Sequence, residues 1–85
     1  MTPIKMLRLP QLKPQYGLAR STTYKLIAAG LWVRPIRLTA RAIGFLAAEC
    51  DALMAARVAG RSDAEIRALV IKLEAARKNA DGAAA

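Results

Sequence analysis

The sequence predicts a mainly α fold with one small two-stranded β-hairpin. Three observations lead there. Apolar residues recur at helical spacing in several stretches, glycines at 17, 30 and 60 punctuate those stretches, and only LWVRPIRLTARAIGF between them switches to a period of two. The 85 residues leave room for one modest core. Although 55% of residues are hydrophobic, alanine supplies 19 of them, so the helices should be well formed and the core thin.

In chain order, residues 1 to 7 read as a loose basic lead-in. Pro10 suits the first position of a helix, where its missing N–H costs nothing. Pro14 then sets its ring against the carbonyl four residues back, which predicts a short helix over 10–13 with an irregular continuation to Tyr16. Gly17 turns the chain, and a second helix is expected over 20–29, stopped by Gly30. Ala19 is a poor cap, while Ser21 suits that place if the helix starts slightly later. Alternation of Ile36, Arg37 and Leu38, a turn near Thr39–Ala40 and a return through Ile43 and Phe45 predict the hairpin, over 34–45.

A third helix is expected from the stripe Leu46, Cys50, Leu53, Met54 and Val58, ending at Gly60. Ser62-Asp63-Ala64-Glu65 is a capping box and predicts a fourth helix over 63–78, with a frayed tail behind it. Ile66, Leu69, Val70 and Leu73 form an apolar stripe on that helix. It must either cover the chain's own core or meet another molecule. The expected organisation is a unit over 1–60, an amphipathic helix over 61–79 and a flexible tail over 80–85.

Charge is unevenly placed. Residues 1–45 hold eight Lys or Arg and no acid, whereas residues 46–85 hold six of each sign, so the whole net charge of +8 lies in the front half. Such a segment suits a polyanionic partner. The single cysteine excludes an internal disulfide, and Cys50 on an apolar stripe reads as a small core residue. There is no histidine, every acid lies at or beyond Glu49, and the five glycines make no phosphate-cradling loop. These absences argue against an enzyme, a metal site or a cofactor. No run suits a membrane span or a secretory signal, so a cytoplasmic protein is expected.

On the second helix, turned at 100° per residue, Arg20, Ser21, Tyr24, Lys25 and Ala28 share an arc of about 140°. Thr22, Thr23, Leu26 and Ala19 lie opposite. Two short helices joined by a glycine turn, the second with a polar basic face, match a helix-turn-helix that enters the major groove of double-stranded DNA. Arg20 and Ser21 would reach base edges, and Tyr24 and Lys25 would hold phosphates. The hairpin adds Arg34, Arg37 and Arg41 without a compensating acid and reads as a wing, which makes the whole a winged helix-turn-helix with an additional C-terminal helix.

The run LRLPQL…YGLARSTTYKLIAAGLWVRPIRLTARAIGFLAAECDAL resembles the AlpA-type prophage regulatory proteins and related excisionases, or recombination directionality factors, a branch of the MerR-like winged helix-turn-helix group. Their pattern runs R-L-P-x-V, G-[LI]-S-R-S-T-x-Y-R-L-I, R-P-[VI]-x-L and R-A-x-G-[FW], and the likeness covers about residues 7–57. The resemblance implies that Arg20, Ser21, Thr22, Tyr24 and Lys25 belong to a recognition helix and Arg37 and Arg41 to the wing. Leu12, Leu26, Ile27, Trp32 and Phe45 would support the core. Ala19 in place of serine, Lys13-Pro14, and Val33 in place of proline depart from the pattern. All three concern helix ends rather than the DNA-facing side.

The function this implies is excisionase-like. The protein would bind repeated sites beside an attachment region and bend or organise the DNA so that a tyrosine-type integrase favours excision, with self-association of neighbouring protomers on the DNA. A simple regulator at a promoter would use the same surface. An interaction or antitoxin-like protein working through helix four is the alternative of another class. RNA binding is disfavoured, because four aromatic residues make no stacking platform.

Overall fold

A computed structural model describes residues 4–80. The chain runs β1 (Met6–Leu7), a 3₁₀ turn (Leu9–Gln11), α1 (Leu12–Tyr16), α2 (Arg20–Ala28), β2 (Ile36–Arg37), β3 (Ile43–Leu46), α3 (Ala47–Val58), α4 (Asp63–Ala76) and a closing 3₁₀ turn (Arg77–Asn79). The four helices pack about a small antiparallel sheet of strand order β1-β3-β2.

That third strand corrects the expected loose lead-in. Met6 pairs with Leu46 and Leu7 with Phe45, and the N–H of Ala47 donates to the carbonyl of Lys5 at 2.9 Å. Two residues are too few to show a period, so only burial of Leu7, 1% exposed, betrays the strand. Residues 1–3 of the lead-in, and residues 81–85 of the expected tail, lie outside the described residues. The hairpin is real but shorter than 34–45: Ile36 faces Gly44, Arg37 faces Ile43, and the turn closes with Leu38 and Thr39 both donating to the Ala42 carbonyl.

Helix one is also corrected. The chain first makes a 3₁₀ turn, and α-helical bonding restarts at Leu12, which puts Pro14 in the first turn of α1. A first-turn N–H has no partner within the helix, so the proline removes nothing and its ring meets no helical carbonyl. Gly17, at φ 74°, then ends α1 with its N–H on the Lys13 carbonyl. A side chain at that φ would be strained.

α2 starts at Arg20 behind an Ala19 cap that contributes no side-chain bond, so Ser21 lies within the helix and is not its cap. Thr23, fully buried, satisfies its hydroxyl by donating to the Ala19 carbonyl at 2.9 Å. Helix three ends at Val58 as expected, but Val58 is 88% exposed and leaves the buried stripe. The core has already closed around Cys50 and Leu53, about two turns and one turn earlier. Leu46, the other end of that expected stripe, is the last residue of β3.

Leu7, Leu12, Trp32, Val33, Phe45, Cys50, Leu53, Ile66 and Val70 share one buried cluster, with Leu69 and Leu73 packed against it. The apolar stripe of α4 therefore lies on the chain's own core. Trp32 meets the Tyr16 ring edge-on at 6.2 Å, and Tyr16 donates to Asp51 at 2.7 Å. Burial, reinforced by that bond, pushes the Tyr16 phenol well above its ordinary range. Burial likewise pushes the Cys50 thiol up to about 12, leaving it protonated and inert at neutral pH.

The capping box of α4 is closed in both directions: Glu65 N–H donates to Ser62 Oγ at 3.2 Å, and Ser62 N–H donates to Glu65 Oε1 at 3.1 Å. These bonds hold the Glu65 carboxyl below its usual range. Ser62→Ala should cost about 0.5–2 kcal/mol, read as a lower urea midpoint at unchanged slope. With its pKa lower in the folded chain, Glu65 adds stability above the unfolded-state pKa. That contribution is lost as pH falls through the folded value.

Candidate nucleic-acid interface

The glycine turn at 17 and the hairpin turn at 38–42 bring three separated stretches to one place. A groove of about 590 Å³ is lined by Lys13 of α1, Arg20 and Tyr24 of α2, and Arg41 of the hairpin turn. Leu9, Pro10, Leu18 and Ile43 complete the lining. Arg20 and Tyr24 share a helix face because they stand one turn apart. The Arg20 guanidinium carbon lies 6.0 Å from the Tyr24 ring centroid, the outer range of a cation–π contact. Arg41 is set by its turn, where its own N–H reaches the Thr39 hydroxyl at 3.3 Å.

The electrostatics follow from the sequence split. The ion pairs among the described residues are Arg57–Asp63, Arg61–Glu65 and Arg77–Glu49, so acids of the rear half are matched by bases of the rear half. Lys13, Arg20 and Arg41 enter none of them. Three cations beside one groove repel one another unless a polyanion neutralises them. The α2 N-terminus adds N–H groups free of any side-chain cap, at a helix end that favours negative charge.

The expected site residues divide accordingly. Arg20, Tyr24 and Arg41 come together in the groove. Ser21, Thr22 and Lys25 are exposed on α2, and Arg37 is exposed on β2, outside the groove lining. Thr22, on the far side of the wheel, is exposed like Ser21, and burial on that face falls on Thr23. Arg34 is the exception: pairing begins only at Ile36, and the Arg34 peptide is held by α4 and the turn that closes it, with its N–H on Glu74 at 2.8 Å and its carbonyl on Arg77 at 2.8 Å. It belongs to the connector that leads into the hairpin. Lys13 carries no sequence signal of belonging to the site: it stands beside Pro14 on a short helix, and only the turn at Gly17 brings it to the groove.

The sequence also hid a buried ion pair. Glu49, 4% exposed, takes two bonds from Arg77 at 2.6 and 2.9 Å. The carboxylate in turn holds the Arg77 guanidinium firmly protonated. No spacing rule links residues 28 positions apart. Among the described residues no cluster of His, Cys, Asp or Glu suits a metal, and no helix is long and apolar enough to cross a membrane.

Four helices, a small three-stranded antiparallel sheet and an acid-free basic groove at a helix pair and a hairpin turn are compatible with a helix-turn-helix bearing a wing. Residues 5–58 match the family model described as Prophage CP4-57 regulatory protein (AlpA). Over 61 residues the chain is 38% identical to Uncharacterized protein ORF88 of Enterobacteria phage P4, a span covering 72% of this chain and 69% of that one. No solved structure matches. The chain belongs to the AlpA prophage regulatory family, phage-associated DNA-binding regulators.

Proposed function

We propose that the protein is a winged helix-turn-helix reader of double-stranded DNA that acts as an excisionase of a mobile element. It binds repeated short sites beside an attachment region and bends or organises them for a tyrosine-type integrase. The observation that carries the reading is the convergence of Lys13, Arg20, Tyr24 and Arg41 on one groove. In this arrangement Arg20 and Ser21 read base edges from the major groove, while Tyr24, Lys25 and Lys13 hold phosphates. Arg41 and Arg37 follow the backbone from the hairpin. Bending a 20–30 base-pair site costs on the order of 1–6 kcal/mol, which the phosphate contacts of several protomers offset.

The family's description as regulatory favours a second reading, control of a promoter through the same surface. A footprint across the attachment region and neighbouring promoters separates the two. Several evenly spaced protected sites beside the attachment core support the excisionase, and a single promoter site replaces that reading with the regulator. An interaction role for helix four draws less support, because Ile66 and Val70 are buried in the chain's own core. In this reading the protein works on the bacterial nucleoid and needs no catalytic residue, metal or cofactor.

Arg41→Ala should weaken binding to specific and random DNA alike and reduce the slope of log K against log salt by about 1. A salt titration in both backgrounds checks this. An unchanged slope would remove Arg41 from the phosphate contacts.

A further inference from the structure

The family match ends at residue 58, and α4 begins at Asp63. Yet α4 reaches back to the DNA-facing elements at two defined points. Arg67 Nε donates to the carbonyl of Ala29, the last residue before the Gly30 turn that ends α2, at 2.9 Å. Its side chain lies against Gly30, 3.6 Å from where a Cβ would stand. At the far end of the connector, Glu74 accepts the Arg34 N–H and Arg77 donates to the Arg34 carbonyl, each at 2.8 Å. Arg77 is itself locked on the buried Glu49.

Arg67 and Glu74 stand seven positions apart and so share one side of α4, and Arg77 follows in the 3₁₀ turn that closes it. Between the two grips the connector buries Trp32 and Val33. Its length and direction are thus set at both ends by the same rigid rod. On one side of it lies α2 with Arg20 and Tyr24, and on the other the hairpin with Arg41.

We infer that α4 and the 3₁₀ turn that closes it form a clamp that sets the spacing between the DNA-reading helix and the wing, with Arg67, Glu74 and Arg77 as positioning residues. None of the three lines the groove. They act by fixing where Arg20 and Arg41 stand relative to one another, which decides whether both engage one duplex at once. The inference rests on the groove being the DNA-contacting surface.

The pair Glu74→Gln and Glu74→Ala tests it, since both carry the same charge and differ in whether an oxygen remains to accept the Arg34 N–H. Full-length proteins are titrated with a footprinted site and with random duplex, each also combined with Arg41→Ala. Glu74→Gln should match the wild type, whereas Glu74→Ala should bind the specific site roughly three- to tenfold more weakly, the worth of one hydrogen bond. Random-DNA affinity should fall by a smaller factor, no more than the Arg41→Ala penalty, because only the wing's phosphate contact is shared with random duplex. The penalty of Arg41→Ala should be smaller in the Glu74→Ala background, because a wing out of register has less to lose. Equal specific affinity and an undiminished Arg41→Ala penalty in both backgrounds would overturn the clamp. Loss of all site discrimination by the wild type itself would instead remove the interface reading, and the clamp with it. Should Glu74→Ala melt below the assay temperature, Arg67→Lys against Arg67→Met gives the same comparison from the other grip. The ratio of specific to random affinity there cancels the change of one charge, and an equal ratio for both again overturns the clamp.

Discussion

Arg77→Ala is expected to destabilise the protein by about 3–5 kcal/mol, the cost of leaving a buried carboxylate without its partner. Glu49 is 4% exposed and takes both of its charge-assisted bonds from this one guanidinium, whose side chain is itself only 23% exposed. The variant also frees the Arg34 carbonyl. In a domain of this size the loss is a large share of the total stability, and the melting temperature should fall well over 10 °C. Thermal melts and urea titrations measure it. Glu49→Gln should be milder, since an amide keeps one acceptor for the guanidinium and the charge left unpaired, on Arg77, is more exposed than Glu49. A loss under about 1 kcal/mol for Arg77→Ala would mean that water reaches Glu49 and that the pair behaves as an exposed one.

Arg20→Ala carries the largest expected effect on binding. Arg20 opens α2 at the mouth of the groove, where a guanidinium can take a guanine edge with two bonds. Its removal should cost about 1–3 kcal/mol at one or two base pairs, or roughly five- to 150-fold in discrimination. Random DNA should lose far less. Competition titrations over a set of single-base variants of the site resolve the positions affected. Equal losses on specific and random DNA would reassign Arg20 to phosphate contacts.

The two predictions rest on features that were unequally visible in the chain. Helix α2 was legible because every signal coincided there: glycines at both ends, one polar face, and a run free of acid. The capping box at Ser62 and Glu65 was legible for a similar reason, since its chemistry is local. The hairpin's pairing survived, but its alternation and length did not: Leu38 is 42% exposed, Gly44 and Phe45 are both buried, and Arg34 is drawn away by bonds to residues 40 and 43 positions later. Strand β1 escaped since its two residues gain their meaning only from Phe45 and Leu46. Pro14 misled by being read as interior to a helix that in fact starts two residues before it.

Of the site, Arg20, Tyr24 and Arg41 were legible and now share a groove, whereas Lys13 required the turn geometry to bring it there. The contribution of α4 was half legible. Its apolar stripe showed that something had to be covered, and burial of Ile66 and Val70 names the chain's own core as what it covers. Its polar grips on residues 29 and 34 could not be foreseen, because a hydrogen bond to a backbone group leaves no trace in the partner's identity.

The account depends on one surface, the groove between the helix pair and the hairpin turn, meeting the duplex as a unit. Amide chemical-shift mapping during titration with a footprinted duplex tests that most directly. Residues 9–25 and 38–43 should shift together along one saturation curve while the outer face of α4 stays silent. Shifts confined to α4, or a groove and hairpin turn that saturate at different DNA concentrations, would contradict it.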